Sequence, residues 1–315
     1  MSGSEVVIQI LFNGLMLGIQ YSLIAVGFTL FFGVLDVINF SHGDVFMLGA
    51  FISLVLINLI AGLGFTGFGY LLILVFIFIF AMLITGGFGI MFERLAVKPV
   101  SKGPPLMSLL ATLGLGMAIR EMIRIFYPRG SESKRFPELL KPFFPDSEAA
   151  IHVGNIIFRY DNLIILAIGI AVIVAVALYI NKTKMGLAIR AVAQDGEAAM
   201  MMGVNKNLVI DITFFIGAAL AAVGGMLNGL YYNTLIFDMG AMAGVIGFSA
   251  AVIGGLGNIY GAVVGGFIFA MTQSLSAAFI PRGSEYMDVV AFGVVIIFLV
   301  FKPSGILGEK MYERV

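Results

Sequence analysis

Residues 6–35 read VVIQILFNGLMLGIQYSLIAVGFTLFFGVL and contain no Asp, Glu, Lys or Arg. A helix crosses a bilayer with about 20 consecutive apolar residues, so this stretch is long enough to span one. Further uncharged runs cover residues 45–92, 162–181, 212–237 and 239–281. Residues 71–78, LLILVFIF, lack the alternation of apolar and polar residues that a membrane β-barrel requires. The sequence therefore predicts an all-α integral membrane protein.

The composition also favours lipid as the main solvent. Hydrophobic residues make up 60% of the 315 residues and charged residues only 11%, whereas soluble domains carry about 25% charged residues. The formal net charge is zero, with 18 basic and 18 acidic residues, so no basic field favours nucleic acid as a partner. The chain contains no cysteine, which excludes disulfides, thiolate metal sites and cysteine nucleophiles.

Glycine, proline and charged residues divide the apolar runs, because loops belong at the membrane interfaces or inside the bundle. The division predicts one permease domain over residues 1–315, with about eight or nine transmembrane helices. The predicted segments are residues 6–33, 44–61, 69–92, 106–125, 161–180, 208–232, 242–256, 259–279 and 287–301. The fourth segment carries charges near its end and is either a half-helix or a full span. The seventh is short and glycine-rich, which favours a re-entrant segment.

Two polar segments must lie outside the hydrocarbon, residues 127–160 and 181–207. They are separated by one predicted helix and so belong on opposite sides of the membrane. If residues 181–207 are cytoplasmic, ten basic residues lie inside: Arg94, Lys98, Lys102, Lys182, Lys184, Arg190, Lys206, Lys302, Lys310 and Arg314. The positive-inside rule then predicts an extracytoplasmic N-terminus, a cytoplasmic C-terminus and an extracytoplasmic loop at residues 127–160.

A short internal echo links residues 37–41, VINFS, with residues 245–249, VIGFS. Transporters often contain inverted repeats with interrupted helices near the binding region. Five residues can also match by chance in a chain this apolar. The echo therefore raises an inverted repeat only as a hypothesis.

The densest polar cluster within an apolar context is residues 36–44, DVINFSHGD. Asn39, Ser41 and His42 are candidates for lining a solute path at a broken helix, because polar groups at membrane depth tend to face a cavity or a partner. The alternative is an interfacial loop in which Ser41 caps the next helix and Asp44 lies in its first turn.

Three polar residues within predicted helices are further path candidates, namely Asn13, Gln20 and Asn228. Asn13 and Gln20 are seven residues apart and share one helical face. Such side chains bind a solute or bond one helix to another, and the second use is the more frequent.

The sequence contains no pattern typical of an enzyme site. The only histidines are His42 and His152, in separate loops, so no metal site is predicted. Residues 305–310, GILGEK, lack the glycine spacing of a phosphate-binding loop, so this chain does not hydrolyse ATP by that route. An intramembrane enzyme would need a polar catalytic pair facing one cavity, and buried His, Asp and Glu are scarce.

Residues 185–205, MGLAIRAVAQDGEAAMMMGVN, mix alanine, methionine and charge between two membrane helices. Residues 196–202 predict a short helix that ends at Gly203. Its soft apolar surface suits a groove on another protein. A helix lying on lipid headgroups is the alternative.

Several stretches resemble the branched-chain amino acid permeases of ABC importers. The resemblance covers nearly the whole chain and includes the loop at residues 185–205. The other motifs are NGLMLG at 13–18, INFSHGD at 38–44, FERLAVKP at 92–99, GAALAAVGG at 217–225, VIGGLGN and GA at 252–258 and 261–262, and KPSGILG at 302–308.

The resemblance implies a permease in a bacterial-type inner membrane that pairs with a second, similar permease. Solute would come from a periplasmic solute-binding protein, and two cytosolic ATPase subunits would use ATP and Mg²⁺, while this chain would bind no cofactor. The implied ATPase-coupling residues are Asp195, Glu197, Ala198, Ala199, Gly203 and Val204. Asn39, Ser41 and His42 would belong to a helix break near the solute path.

The implied solute is leucine, isoleucine, valine or a related small amino acid. Relatives often have alanine where this chain has Ser41 and glutamate where it has Asp44, so urea, short amides and aromatic acids remain alternatives. A stand-alone secondary transporter is the rival function, suggested by the broken helix and the echo. It would require a coupling-ion site, and charged residues are rare within the predicted spans.

Overall fold

The computed structural model describes residues 3–61, 69–101, 103–137, 150–153 and 156–308. Helices dominate these ranges and only four short strands occur in them. The α-helices are α1 (Gly3–Leu35), α2 (His42–Ala61), α3 (Gly69–Phe92), α4 (Pro105–Phe126), α5 (Tyr160–Lys182), α6 (Lys184–Gln194), α7 (Gly196–Met201), α8 (Lys206–Tyr232), α9 (Met239–Gly254), α10 (Ile259–Phe279) and α11 (Gly283–Phe301). The strands are β1 (Lys134–Arg135), β2 (Ala150–Val153), β3 (Ile156–Arg159) and β4 (Thr234–Leu235), and a π-helical turn, Glu93–Val97, extends α3.

Within the described ranges, eight helices are long and apolar enough to cross a membrane: α1 to α5, α8, α10 and α11. The seventh predicted segment, 242–256, lies in α9, which has only 16 residues. The all-α, polytopic fold is therefore confirmed. The segment at 106–125 is a full helix of 22 residues and not a half-helix. Two short helices, α6 and α7, fill residues 184–201, and of these only α7 was predicted.

Local sequence sets several helix starts. Pro105 opens α4, where a proline loses no hydrogen bond. Asn205 and Asn258 cap α8 and α10, their side-chain oxygens accepting the amides of Leu208 at 3.2 Å and Gly261 at 3.0 Å. Such caps satisfy amides that a helix start leaves without partners, which matters most where water is scarce.

The two long helices α1 and α8 form the centre of the bundle and run antiparallel. Asn228 Nδ2 donates to Gln20 Oε1 at 2.9 Å, joining the middle of α1 to a late part of α8. The rings of Phe31 and Phe214 stack with centroids 4.4 Å apart, joining a late part of α1 to an early part of α8. Both helices are largely buried by their neighbours.

An internal repeat relates α1 and the chain after it to α8 and the chain after it. α1 and α8 each end at a residue in the left-handed conformation, Asp36 with φ 55° and Asn233 with φ 54°. Connections of equal length, residues 36–41 and 233–238, then lead into α2 and α9. Asn233 lies 197 positions after Asp36 (233 − 36). The same shift aligns identical residues: Leu23 with Leu220, Ala25 with Ala222, Val26 with Val223, Gly27 with Gly224, Leu30 with Leu227, Phe40 with Phe237, Gly43 with Gly240, Phe51 with Phe248 and Val55 with Val252.

Helix packing follows the same symmetry. α1 packs on α9 and α10, while α8 packs on the corresponding α2 and α3. The equivalent residues Gly43 and Gly240 touch each other, because a Cβ built on Gly240 would lie 2.7 Å from the Gly43 carbonyl oxygen. Residues that are related by the repeat and also in contact lie on its axis. Because α1 and α8 are antiparallel, α1–α3 and α8–α10 form an inverted repeat.

The echo between residues 37–41 and 245–249 does not follow this shift. The first stretch belongs to the connection before α2, whereas the second lies within α9. The repeat is thus present, but in a different register from the one that the five-residue match suggested.

The bundle has two distinct ends. At one end, called the α6–α7 face, a Cβ on Gly33 near the end of α1 would lie 3.9 Å from Ala193 of α6. At the other end, called the strand face, β1 pairs with β4 and β2 pairs with β3, both antiparallel. Residues 127–137 and 181–207 therefore lie at opposite ends of the bundle.

We expect substitution at the repeat axis to disturb the fold. A Cβ on Gly43 would meet the Gly240 carbonyl oxygen and the Gly244 backbone, neither of which can rotate away. Overpacking of this kind costs about 1–3 kcal/mol, so Gly43→Ala should lower the unfolding temperature in detergent. Gly87→Ala is the matched control, because a Cβ there meets nothing within 4 Å. Equal unfolding temperatures for the two variants would contradict the assigned contact.

Candidate coupling segment and helix break

The short helix α7 is capped at both ends by its own sequence. Asp195 Oδ1 accepts the amides of Glu197 and Ala198, each at 3.0 Å. At the other end Gly203 has φ 87°, a left-handed conformation that favours glycine. The Gly203 amide donates to the Met200 carbonyl and the Val204 amide to the Ala199 carbonyl, each at 3.0 Å. This pair of bonds is a Schellman motif.

The predicted coupling residues are thus brought together in one compact element. Asp195 starts α7, Gly203 ends it, and Glu197 and Ala198 are exposed in its first turn. Ala199 is buried and Val204 half-buried, so they attach the helix to the bundle. Whether these residues dock on an ATPase stays a prediction.

Methionine side chains form the outer surface of α7. Met201 is 89% exposed and Met202, directly after the helix, is 85% exposed. Methionine is flexible and polarisable, and it adapts to irregular apolar surfaces on partner proteins. The arrangement is a rigid backbone that carries an adaptable apolar tip.

Helix α6 connects α7 to the membrane helices. Its N-cap is Thr183, whose hydroxyl accepts the Gly186 amide at 3.0 Å. Ile189 and Val192 are buried, and α6 packs on α1, α5 and α8. Helix α6 therefore connects α7 to the two central helices. The Thr183 cap and the apolar spacing at 189 and 192 were signals that could have identified α6 from the sequence.

The motifs at residues 252–258 and 302–308 form one unit on the α6–α7 face. The amides of Ile306 and Leu307 donate to the carbonyls of Ile253 and Gly254 at 2.8 and 2.9 Å. Asn258 Nδ2 donates to the Leu307 carbonyl at 3.0 Å. The chain after α11 therefore clamps the turn between α9 and α10. A Cβ on Gly33 would lie 4.0 Å from Gly257 in this turn, which places the clamp beside the end of α1.

An ion pair fixes the end of α3 at the same face. The Arg94 guanidinium donates from Nε and Nη2 to the two carboxylate oxygens of Asp211 in α8, at 3.2 and 2.6 Å. Glu93 beside it is buried. The bidentate geometry links the first repeat to the start of the second.

The candidates Gln20 and Asn228 bond to each other, as described above, and so join α1 to α8. Asn13 is exposed and lies on the wall of a cavity of about 300 Å³ near the strand face, together with Tyr231, Gln273 and Ser274. Gln20 and Asn228 therefore form a hydrogen bond between two helices. A role in binding solute stays a prediction for Asn13, Gln20 and Asn228.

Sequence reasoning missed a polar chain beside this cavity. The Tyr21 hydroxyl donates to Gln273 Oε1 at 2.8 Å, and Gln273 Nε2 donates to Asp288 Oδ1 at 2.5 Å. These hydrogen-bonded side chains link α1, α10 and α11. They are 252 and 15 residues apart, so no local pattern could have linked them.

The connection at residues 36–41 is a helix break in which Asn39 and Ser41 are buried. Asn39 Oδ1 accepts the Ser41 amide at 3.2 Å and the Ser41 hydroxyl at 2.6 Å. Asn39, Ser41 and His42 are each at most 5% exposed, and Asp44 lies in the first turn of α2. A role in lining the solute path stays a prediction for Asn39, Ser41 and His42. The His42 ring packs edge-on against Phe28 and Phe31, with centroids 5.0 and 4.9 Å away.

Asp44, in the first turn of α2, forms an ion pair within the bundle. Arg120 Nε of α4 lies 2.9 Å from Asp44 Oδ1, and the Asp44 side chain is only 4% exposed. A Cβ on Gly116 of α4 would lie 3.5 Å from Ser41 Cα. The helix break, the start of α2 and the middle of α4 thus converge. No group of three His, Cys, Asp or Glu residues that could hold a metal occurs among the described residues.

A bundle of eight candidate spans with an inverted repeat, a buried helix break and an exposed capped helix defines a polytopic membrane permease. The chain belongs to the family described as branched-chain amino acid transport system / permease component, whose family model matches residues 10–299.

Curated relatives match almost the full chain. It is 35% identical over 308 residues to the high-affinity branched-chain amino acid transport system permease protein BraD of Pseudomonas aeruginosa, covering 98% of each chain. It is 35% identical to LivH of Escherichia coli, a permease protein with the same description, covering 98% of this chain and 97% of that one. The probable branched-chain amino acid transport permease protein LivH of Methanocaldococcus jannaschii is 25% identical and covers 91% and 88%.

We expect the Asp195 cap to control local order in α7. Asp195→Ala removes an acceptor for two amides, and loss of an N-cap costs about 1 kcal/mol. Hydrogen exchange of amides 197–203 should then be about fivefold faster. Asp195→Asn keeps a capping side chain and should exchange like the unsubstituted protein. Unchanged exchange in Asp195→Ala would show that the cap does not hold α7.

Proposed function

We propose that the chain is the membrane-spanning permease subunit of an ATP-driven importer of branched-chain amino acids. The observation that carries the proposal is α7: a helix capped at both ends, with a methionine tip, is connected through α6 to α1 and α8. Two central helices of opposite direction can rock against each other when one end is pushed. Family membership and relatives with branched-chain amino acid names support the solute class.

The proposed partners follow from what this chain supplies. Its sequence has no phosphate-binding loop, so two separate cytosolic ATPase subunits would bind ATP and Mg²⁺ and receive the tip of α7 in a groove. A second, homologous permease would complete the membrane pair, and a periplasmic solute-binding protein would deliver solute. Large apolar side chains exposed on α3, α4, α5 and α11 are available to the lipid bilayer and to the second permease.

The proposed location is a bacterial-type inner membrane, with the α6–α7 face in the cytoplasm. Lys182, Lys184, Arg190 and Lys206 are on or beside α6 and α7, which agrees with the positive-inside rule. α1 runs toward this face, so its start lies outside. The clamp at residues 302–308 lies on the same face, so the chain after α11 is cytoplasmic.

A stand-alone secondary transporter is the competing function. The inverted repeat and the buried break favour it as much as they favour the importer. The capped, exposed α7 distinguishes the two, because a stand-alone transporter has no need of a docking helix. The decisive measurement is uptake of labelled leucine into proteoliposomes with and without the ATPase subunits and ATP. Uptake by this chain alone, without ATP, would contradict the importer.

We expect Glu197→Lys and Gly203→Arg to uncouple transport. The first reverses a charge on the exposed surface of α7, and the second places a side chain in a left-handed conformation that only glycine adopts readily. Coupling free energies of about 1–3 kcal/mol correspond to 5–150-fold effects, so ATP-dependent leucine uptake should fall about tenfold.

The amount of each variant in the membrane should stay unchanged, since α7 lies outside the spans. Glu132→Lys is the matched control, because it reverses an exposed charge on the strand face and should transport normally. Wild-type uptake by Glu197→Lys together with Gly203→Arg would exclude α7 as the coupling element.

A further inference from the structure

Polar and small residues recur every four positions along one side of α4: Ser108, Thr112, Gly116 and Arg120. Together with Asn39, Ser41 and Asp44 they form a feature called the polar seam. The first three α4 residues are buried and Arg120 is half-buried. The opposite side of α4 carries exposed Leu106, Leu110, Leu113 and Met117. The seam therefore faces the helix break, and the apolar side faces outward.

Two polar contacts cross the seam, Phe40 to Thr112 and Asp44 to Arg120, and local hydrogen bonds flank them. The Phe40 amide donates to Thr112 Oγ1 at 3.3 Å, and the Thr112 hydroxyl donates to the Leu109 carbonyl at 3.1 Å. Ser41 bonds to Asn39 beside Gly116, and Arg120 pairs with Asp44 one turn farther along α4. Helices in an apolar bundle pack well through small and apolar side chains alone. This polarity is therefore more than packing requires.

The Asp44–Arg120 pair lies deep in the bundle. Gly116, which adjoins Asp44, is the twelfth of the 22 residues of α4 and so lies near its midpoint. Asp44 also adjoins the starts of two helices: it is in the first turn of α2, and a Cβ on Gly240 of α9 would lie 2.8 Å from Asp44 Oδ1. Charges at such depth are costly and mark solute pathways.

The pair leaves hydrogen-bonding capacity unused. Arg120 Nε and Asp44 Oδ1 are 2.9 Å apart, yet they are not aligned for a hydrogen bond, and neither atom has another hydrogen-bond partner among the described residues. Two helix starts already favour the negative charge on Asp44. The Arg120 side chain is 26% exposed, so it is not fully enclosed by the other helices of this subunit.

We propose that the polar seam is this subunit's part of the solute path, with Asp44 and Arg120 as a binding station for a zwitterionic amino acid. Arg120 takes the solute carboxylate, for which its planar guanidinium is well suited, and Asp44 takes the solute ammonium group. The station replaces the internal ion pair by two pairs with the solute, so the membrane interior never holds an unpaired charge. This inference rests on the proposed function and extends it to named residues.

A purely structural ion pair makes a different prediction. Replacing both members of a buried pair by hydrophobic residues of similar volume is often neutral or stabilising, whereas removing one member leaves an unpaired charge. A structural role therefore predicts that the double neutral variant regains full function. A role in binding solute predicts that it does not.

The test is the double variant Asp44→Leu with Arg120→Met, reconstituted with the partner subunits and assayed with labelled leucine. We expect normal assembly with the partner subunits, with ATP-dependent uptake reduced about tenfold or more. The control is Glu121→Gln with Arg124→Gln, a neighbouring exposed pair on α4 at 2.5 Å, which should transport normally. Near wild-type uptake by the Asp44/Arg120 double variant would overturn the proposal.

Single-cysteine labelling decides the matter if the double variant fails to assemble. The chain has no native cysteine, so Thr112→Cys would carry the only thiol. A charged, membrane-impermeant methanethiosulfonate should modify it during ATP turnover, and excess leucine should slow the reaction. Val174→Cys, on the exposed side of α5, is the control and should stay unreactive in lipid.

Thr112→Cys that stays unmodified in every nucleotide condition would also overturn the proposal. Failure of the proposed function would look different. In that case the unsubstituted protein itself would show no ATP-dependent uptake with its partners, whereas failure of the seam alone leaves that uptake intact.

Discussion

The close contact of α2 and α9 at Gly43 and Gly240 is the constraint on which the rest of the structure depends. Lipid supplies no hydrophobic force between helices, so they associate through tight packing and hydrogen bonds. Backbone meets backbone here, because a Cβ on either glycine would collide with the other residue or its neighbours. This contact lies on the axis of the inverted repeat, and it fixes how one half of the bundle crosses the other.

The contact also explains why several polar side chains lie close together inside the bundle. α2 and α9 both begin beside it, after connections that return into the bundle. Helix starts carry unsatisfied amides and partial positive charge, which favour an acidic side chain nearby. Asp44 provides the charge and Arg120 its partner, while Asn39 and Ser41 satisfy each other in the connection. A broken helix thus creates the polar interior that an unbroken bundle would exclude.

The same two central helices join this interior to the surface. α1 contributes Gly33 near α6 at one end and Tyr21 to the polar chain with Gln273 toward the other. α8 is held by Arg94 near its start and bonds to Gln20 near its end. Each helix therefore extends from the α6–α7 face to the strand face. The clamp at residues 302–308 holds the turn between α9 and α10 at the α6–α7 face.

The sequence by itself determined the features that local chemistry controls. Long uncharged runs require membrane helices, so all nine predicted segments are helical, and Gly203 after a run of alanine and methionine marked the end of α7. It could not determine which distant residues meet. The repeat is too diverged for a five-residue match to reveal its register, and the echo at 37–41 was misleading.

The partners Asp44 and Arg120 are 76 residues apart (120 − 44), and Tyr21 and Gln273 are 252 apart. Only the tertiary structure decided these pairings, because they depend on how two inverted halves cross and no neighbouring residue encodes that crossing.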